Sequence, residues 1–191
     1  ELKLEENPKQ VITTGGVILA KSVVMASGAH PRELGIENES QLRGRGVAYC
    51  ATCDGMMFKD KDVVIVGGGN SAIADALYLS KICHHVTLIH RRDSLRASRV
   101  YEEQLKKSHI HFVWNSQVVE ILADKHVTGV KVQNVVTNEM TQIDCDGLFV
   151  AIGRIPDTEI VKGQLELDKS GYIIADESTC TNIPGVFAIG D

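Results

Sequence analysis

The chain has 191 residues, 43% of them hydrophobic and 24% charged, enough apolar material for one buried core or one core plus pieces of a second. A net charge of -5 and a pI near 5.8 give no electrostatic reason to expect nucleic acid or an anionic membrane as partner. No apolar run approaches the roughly 20 residues that span a bilayer, and no charged-then-apolar leader opens the chain, so a soluble cytoplasmic protein is expected.

In chain order, Gln10 to Thr14 and Val17 to Ala20 flank Gly15-Gly16 and read as a hairpin. An apolar strand is expected next, from Val23 through Gly28 to Ala29, and a strand that enters a glycine usually abuts a ligand or another backbone. Cys50-Ala51-Thr52-Cys53 then follows, with Asp54 beside it. Five cysteines, an odd number, do not resemble the framework of a small secreted domain, and Cys83, Cys145 and Cys180 read as reduced structural residues. A zinc site would need two further ligands at comparable spacing, and there is no second C-x-x-C, so Cys50 and Cys53 are expected to be a redox pair. Two thiols separated by two residues at a turn can close a small ring, and a lowered pKa makes one of them a usable nucleophile.

Asp62 to Val66 is a β-branched run suited to a buried parallel strand, and it runs into Gly67-Gly68-Gly69-Asn70-Ser71-Ala72, a match to G-x-G-x-x-A. A helix is expected from Ser71 to Ile82, then a strand from Val86 to His90. In this order, Gly67 permits a tight turn, Gly69 lets backbone approach a pyrophosphate, and Ala72 allows close packing of helix on strand. The first N–H groups of the helix, from Asn70 and Ser71 onward, would face the negative charge of a dinucleotide. His90-Arg91-Arg92 stands where NAD-binding versions carry an acidic residue. Guanidinium groups there suit a 2′-phosphate, with Arg96 able to join, whereas the plainer alternative is a solvated surface cluster.

Further on, Arg99 to Lys107 reads as an amphipathic helix and His111 to Trp114 as a strand. The runs Val118 to Leu122, Val127 to Val136 and Thr141 to Cys145 have connections short enough for a β-meander beside the parallel sheet, and Gly147 to Gly153 returns as a buried strand. The chain opens without Met and stops at Asp191 directly after an apolar strand, which predicts a piece excised from a longer protein.

Taken as a set, Cys50-Ala51-Thr52-Cys53-Asp54-Gly55, Gly67 to Ala72, His90-Arg91-Arg92-Asp93 and Gly185-Val186-Phe187-Ala188-Ile189-Gly190-Asp191 resemble the low-molecular-weight thioredoxin reductases from about Val23 onward. The amino-terminal FAD-binding glycine motif of that family is absent, and Ser27 stands where the family is expected to have Thr. The resemblance implies an α/β, Rossmann-like three-layer FAD/NAD(P)-binding fold with a parallel sheet, helices and a β-meander. It implies severed FAD-domain segments at 1–36 and 154–191 around an NADPH-binding domain at 37–153. Electrons would pass from NADPH through FAD to the Cys50–Cys53 disulfide and on to thioredoxin. In this scheme Cys50 attacks the protein substrate, Cys53 faces the flavin and Asp54 exchanges protons. Gly28, Ala29 and Asp191 would touch the flavin, and the full-length protein would be a homodimer whose NADPH domain rotates relative to the flavin domain.

Two other readings stay open. A peroxiredoxin-linked flavoprotein reductase shares the architecture but resembles a version with Pro-His between the cysteines, where this sequence has Ala51-Thr52. The chain by itself could also be a nucleotide-binding module without turnover. A related NADPH–ferredoxin-type oxidoreductase would lack the cysteine pair.

Overall fold

The computed structural model describes residues 1–95 and 99–191, and for residues 99, 102 and 106 the backbone alone. The chain opens with β1 (Leu2–Lys3), β2 (Lys9–Thr13) and β3 (Gly16–Ala20), followed by β4 (Val23–Met25) and β5 (Ala29–Pro31). Next come β6 (Val47–Ala48), the single helical turn α1 (Ala51–Asp54), β7 (Asp62–Gly67), α2 (Asn70–Leu79) and β8 (His85–Ile89). Helix α3 (Arg99–Lys106) leads to β9 (His111–Val113), β10 (Ser116–Ala123), β11 (Val127–Asn134) and β12 (Met140–Asp144). The last strands are β13 (Gly147–Ala151), β14 (Arg154–Pro156) and β15 (Val186–Ala188). No helix among the described residues is long and apolar enough to cross a membrane.

Two compact units result, one formed by Glu1–His30 with Arg154–Asp191, the other by Pro31–Gly153. The first unit holds the antiparallel sheet β1-β2-β3 and the parallel pair β15-β4. Its core gathers Leu2, Leu4, Met25, Val161, Leu165, Ile183 and Val186. The apolar run from Val23 does not stay extended to Ala29. Strand β4 ends at Met25, Gly28 turns the chain at φ +73°, a region open to glycine and costly for other residues, and Ala29 opens a separate strand.

The second unit is built on a parallel sheet of order β6-β13-β7-β8-β9. Its strands alternate in two directions, as the two-residue period of a strand requires. Val63, Ile65, Val86, Leu88 and Phe149 pack with Ala72, Ile73, Ala76 and Leu79 of α2. Val64, Val66, Ile89, Leu148 and Val150 pack on the opposite side with Val118, Ile121, Val127, Val130 and Val132 of the antiparallel meander β10-β11-β12. Helices, parallel sheet and meander therefore make three layers, and each fully buried aliphatic side chain contributes about 1.5–3 kcal/mol.

This unit starts at Pro31, and Leu34 and Ile36 pack against its core. Helix α2 ends at Leu79 rather than Ile82, where Lys81 and Ile82 bond back three residues and tighten the last turn. Strand β11 ends at Asn134 rather than Val136, since Asn134 Oδ1 accepts from the N–H groups of Val136 and Thr137 and folds the chain into a turn.

Candidate functional site

A cleft of about 640 Å³ opens in the second unit at the carboxyl ends of β7, β8 and β13, the end at which open parallel sheets place ligands. It is lined by the Gly67–Gly69 turn, Asn70 and Ser71 and by His90, Arg91 and Arg92. Each glycine of the turn answers a different demand. A Cβ on Gly67 would collide with the Ala151 carbonyl oxygen and the Ala72 Cβ, so both residues must be small for strand and helix to meet. A Cβ on Gly68 would run into the His90 ring. At Gly69 a Cβ would meet nothing within 4 Å and would project into open space. Gly69 is also the N-cap of α2, so no side chain closes that helix start, and its first N–H groups lie at the cleft wall.

Backbone bonds fix the segment that carries His90, Arg91 and Arg92. His90 N–H donates to Val113 O (2.9 Å), Ser116 N–H to His90 O (3.0 Å) and Asn115 N–H to Arg92 O (3.0 Å). His90 is 8% exposed, and its Nε2 has no partner among the described residues. Burial lowers the His90 pKa below its ordinary 6.5, and Arg92 and Arg91 push the same way against backbone bonds to Ser94 and Gly67. Burial and the neighbouring guanidinium groups thus favour the neutral ring. Arg91 and Arg92 are exposed and line the cleft, whereas Arg96 lies outside the described residues.

Sequence reasoning missed two contributors. Arg32 reaches the cleft from far earlier in the chain, its N–H held by Gly153 O (2.9 Å), and nothing local to it signals that role. Gly68 occupies a free position of the glycine pattern, but the bulk of His90 makes it as restrictive as Gly67.

The cysteine pair forms a disulfide. It sits on a helical turn at the carboxyl end of β6, with Cys50 as the N-cap of α1 and Cys53 N–H donating to Cys50 Sγ (3.2 Å). Cys50 and Asp54 are half-buried and Cys53 is exposed, and neither cysteine lines the cleft. Tyr49, just before the pair, donates its hydroxyl to buried Glu39 (2.8 Å), which also accepts from the N–H groups of Leu34 (3.0 Å), Gly35 (2.9 Å) and Ile36 (3.4 Å). Burial first, then the bond to Glu39, raises the Tyr49 pKa well above its usual value. The remaining cysteines are free thiols. Burial pushes Cys83 up to about 11 and Cys145 up to about 12, which keeps both unreactive at neutral pH.

In the other unit, Gly28 and Asp191 share a smaller cleft of about 240 Å³ with Ser27 and Gly190. Ala29 does not line it. Its carbonyl accepts from Arg154, which also pairs with Asp191 through Nε (3.0 Å).

Residues 2–191 match the family described as pyridine nucleotide-disulphide oxidoreductase. The chain is 48% identical over 181 residues to a thioredoxin reductase from Streptomyces coelicolor, covering 94% of this chain and 56% of that protein. It is 44% identical over 197 residues to a thioredoxin reductase from Rickettsia conorii, covering all of this chain and 64% of that protein. Among solved structures it resembles the thioredoxin reductase of T. acidophilum with a TM-score of 0.86 and 38% identity, over 100% of this chain and 63% of that one. The thioredoxin reductase of Lactococcus lactis, crystallised in the FR conformation, gives 0.84 and 40% over 96% and 61%. The chain thus spans 56–64% of the length of these relatives.

Proposed function

The chain belongs to the pyridine nucleotide-disulphide oxidoreductase family, and from that premise we propose that it carries the NADPH-binding and disulfide-bearing part of a thioredoxin-disulfide reductase. One observation supports this most directly. A glycine turn opening a helix and two exposed arginines line one cleft, in the same compact unit as a C-x-x-C disulfide.

The cleft fits a dinucleotide that bears an extra phosphate. The open space at Gly69 and the start of α2 suit a pyrophosphate, and Arg91 and Arg92 suit a 2′-phosphate that a carboxylate in their place would repel. Arg32 adds a further cation at the same cleft. For FAD, the residues that fit are Gly28 and Asp191, which would hold one edge of the flavin, with Arg154 fixing the Asp191 carboxylate. When bound, NADPH and FAD together supply the electron pair that reduces the disulfide.

The protein's own part is thiol chemistry. Once reduced, Cys50 attacks a sulfur of the thioredoxin disulfide and forms a mixed disulfide, releasing one thioredoxin thiol. Cys53 then attacks Cys50 Sγ, which restores the Cys50–Cys53 bond and releases the second thiol. Asp54 at the end of α1 takes and returns the protons that these steps displace. The Cys53 N–H aimed at Cys50 Sγ would steady the Cys50 thiolate.

Titration of the chain with NADPH and NADH tests the cofactor half. NADPH should bind much more tightly, and Arg91→Ala or Arg92→Ala should each cost about 1.5–3 kcal/mol, roughly 10- to 100-fold in NADPH affinity. Equal affinities for the two nucleotides would overturn the assignment. For the thiol half, Cys53→Ser in the full-length protein should abolish thioredoxin reduction while NADPH binding persists, and normal turnover in that variant would rule out the dithiol relay.

A further inference from the structure

At the amino ends of β7 and β8, opposite the glycine turn, two imidazoles converge on one carboxylate. His84 Nδ1 lies 3.0 Å and His85 Nδ1 2.9 Å from the same oxygen, Asp62 Oδ1. All three atoms fall within 4.8 Å of one another. Zinc-type cations bind imidazole nitrogen and carboxylate oxygen at about 2.0–2.2 Å, which sets neighbouring donor atoms about 2.9 Å apart at right angles and about 3.3 Å apart in a tetrahedron. The two nitrogen-to-oxygen separations lie in that range, so side-chain adjustment, with each imidazole giving up its hydrogen bond to Asp62, can bring the three donors onto one cation.

The sheet fixes the positions from which these side chains project. Asp62 and His85 are register partners in the parallel ladder β7-β8. Asp62 N–H donates to Asp146 Oδ2 (3.1 Å), Asp146 N–H returns to Asp62 O (2.8 Å) and His84 N–H donates to Lys61 O (2.9 Å). Asp146 also adds a second negative charge beside the cluster. The side chains of Asp62, His84 and His85 are 46%, 64% and 67% exposed, which leaves room for water to complete a coordination shell. Two nitrogens with one oxygen favour metals that accept imidazole, such as zinc, nickel or copper, over magnesium and calcium, which take oxygen ligands.

We propose that Asp62 Oδ1, His84 Nδ1 and His85 Nδ1 form a surface binding site for a divalent first-row metal ion, represented by Zn²⁺, with water in the remaining positions. The ion clips the start of β7 to the start of β8. Because β7 runs six residues from this end to Gly67, about 17 Å of strand separates the site from the nucleotide cleft. Metal binding is therefore a property separate from the reading of that cleft.

The test is calorimetric titration of the chelator-treated chain with ZnCl₂, with the Cys50–Cys53 disulfide intact and Cys180→Ser in place to remove the exposed thiol. One equivalent should bind saturably, MgCl₂ should not bind, and Zn²⁺ at about 100 times its Kd should raise Tm by on the order of 5 °C. His84→Gln and His85→Gln keep an N–H donor for Asp62, and each should weaken Zn²⁺ binding roughly tenfold or more while leaving NADPH affinity unchanged. Unchanged NADPH affinity also certifies the fold of each variant. Imidazole NMR signals of His84 and His85 should shift with added Zn²⁺ at a ratio of one to one. Absence of saturable binding, or binding of equal strength in the double Gln variant, would overturn the proposal.

Discussion

His90 packs directly on Gly68 and leaves no room there for a side chain. Adding a single methyl at Gly68 would drive it into the His90 ring, whose backbone is held by bonds to Val113 and Ser116. Gly68→Ala should therefore lower stability by about 1–3 kcal/mol, as overpacking does, whereas Gly69→Ala should leave stability intact and weaken NADPH binding. Urea denaturation and nucleotide titration of both variants separate the two effects, and equal stability losses would refute this division of roles. The same burial makes His90 sensitive to pH. Its folded pKa lies below the ordinary 6.5, so on acidification the unfolded chain takes up the proton first. Its contribution is fully present above about pH 6.5 and is lost as the pH falls toward the lowered folded value. Between about pH 7.5 and 5.5, Tm should fall more steeply in the wild type than in His90→Gln. Parallel profiles would remove His90 from the response.

Among the elements, the segment before α1 depends on one buried side chain. Glu39 is 2% exposed and gathers three backbone N–H groups and the Tyr49 hydroxyl, so it ties the 34–36 loop to the residue that precedes Cys50. Its worth lies in what would be left unpaired without it, because buried donors that lose their acceptor keep their desolvation cost. Tyr49→Phe should cost about 1.5–3 kcal/mol, the range for a bond to a charged group, and Glu39→Ala roughly 3 kcal/mol or more. Urea midpoints measure both. A Glu39→Ala midpoint equal to that of wild type would show that the loop is held by packing alone. For the disulfide, this clamp supplies a fixed approach on one side while α1 packs against α2 on the other.

For the molecule as a whole, each unit carries its own core, and the glycine turn, arginines and disulfide all belong to the second. That unit has what a dinucleotide needs, so the 191-residue chain should bind NADPH as it stands. Titration of the purified chain with NADPH should show saturable binding at about one equivalent, and no binding would contradict that expectation.

Local pattern by itself determined a good deal. The strand, glycine turn, helix and strand from Asp62 to Ile89 were legible because periodicity, glycine and β-branching act within a window of a few residues. So was the meander, through its alternating runs and short turns, and so was the pairing of Cys50 with Cys53, whose spacing leaves little choice. Strand and helix ends were less legible, since Gly28 and the Asn134 side chain stop strands by conformation and hydrogen bonding that hydrophobicity does not register. Only the tertiary structure decided that Arg32 joins Arg91 and Arg92, that Gly68 must yield to His90, that Glu39 holds Tyr49, and that His84 and His85 meet Asp62. These partners lie from ten to some sixty residues apart. Strand register and layer packing bring them together, and both are settled by which hydrophobic faces the whole chain can bury at once.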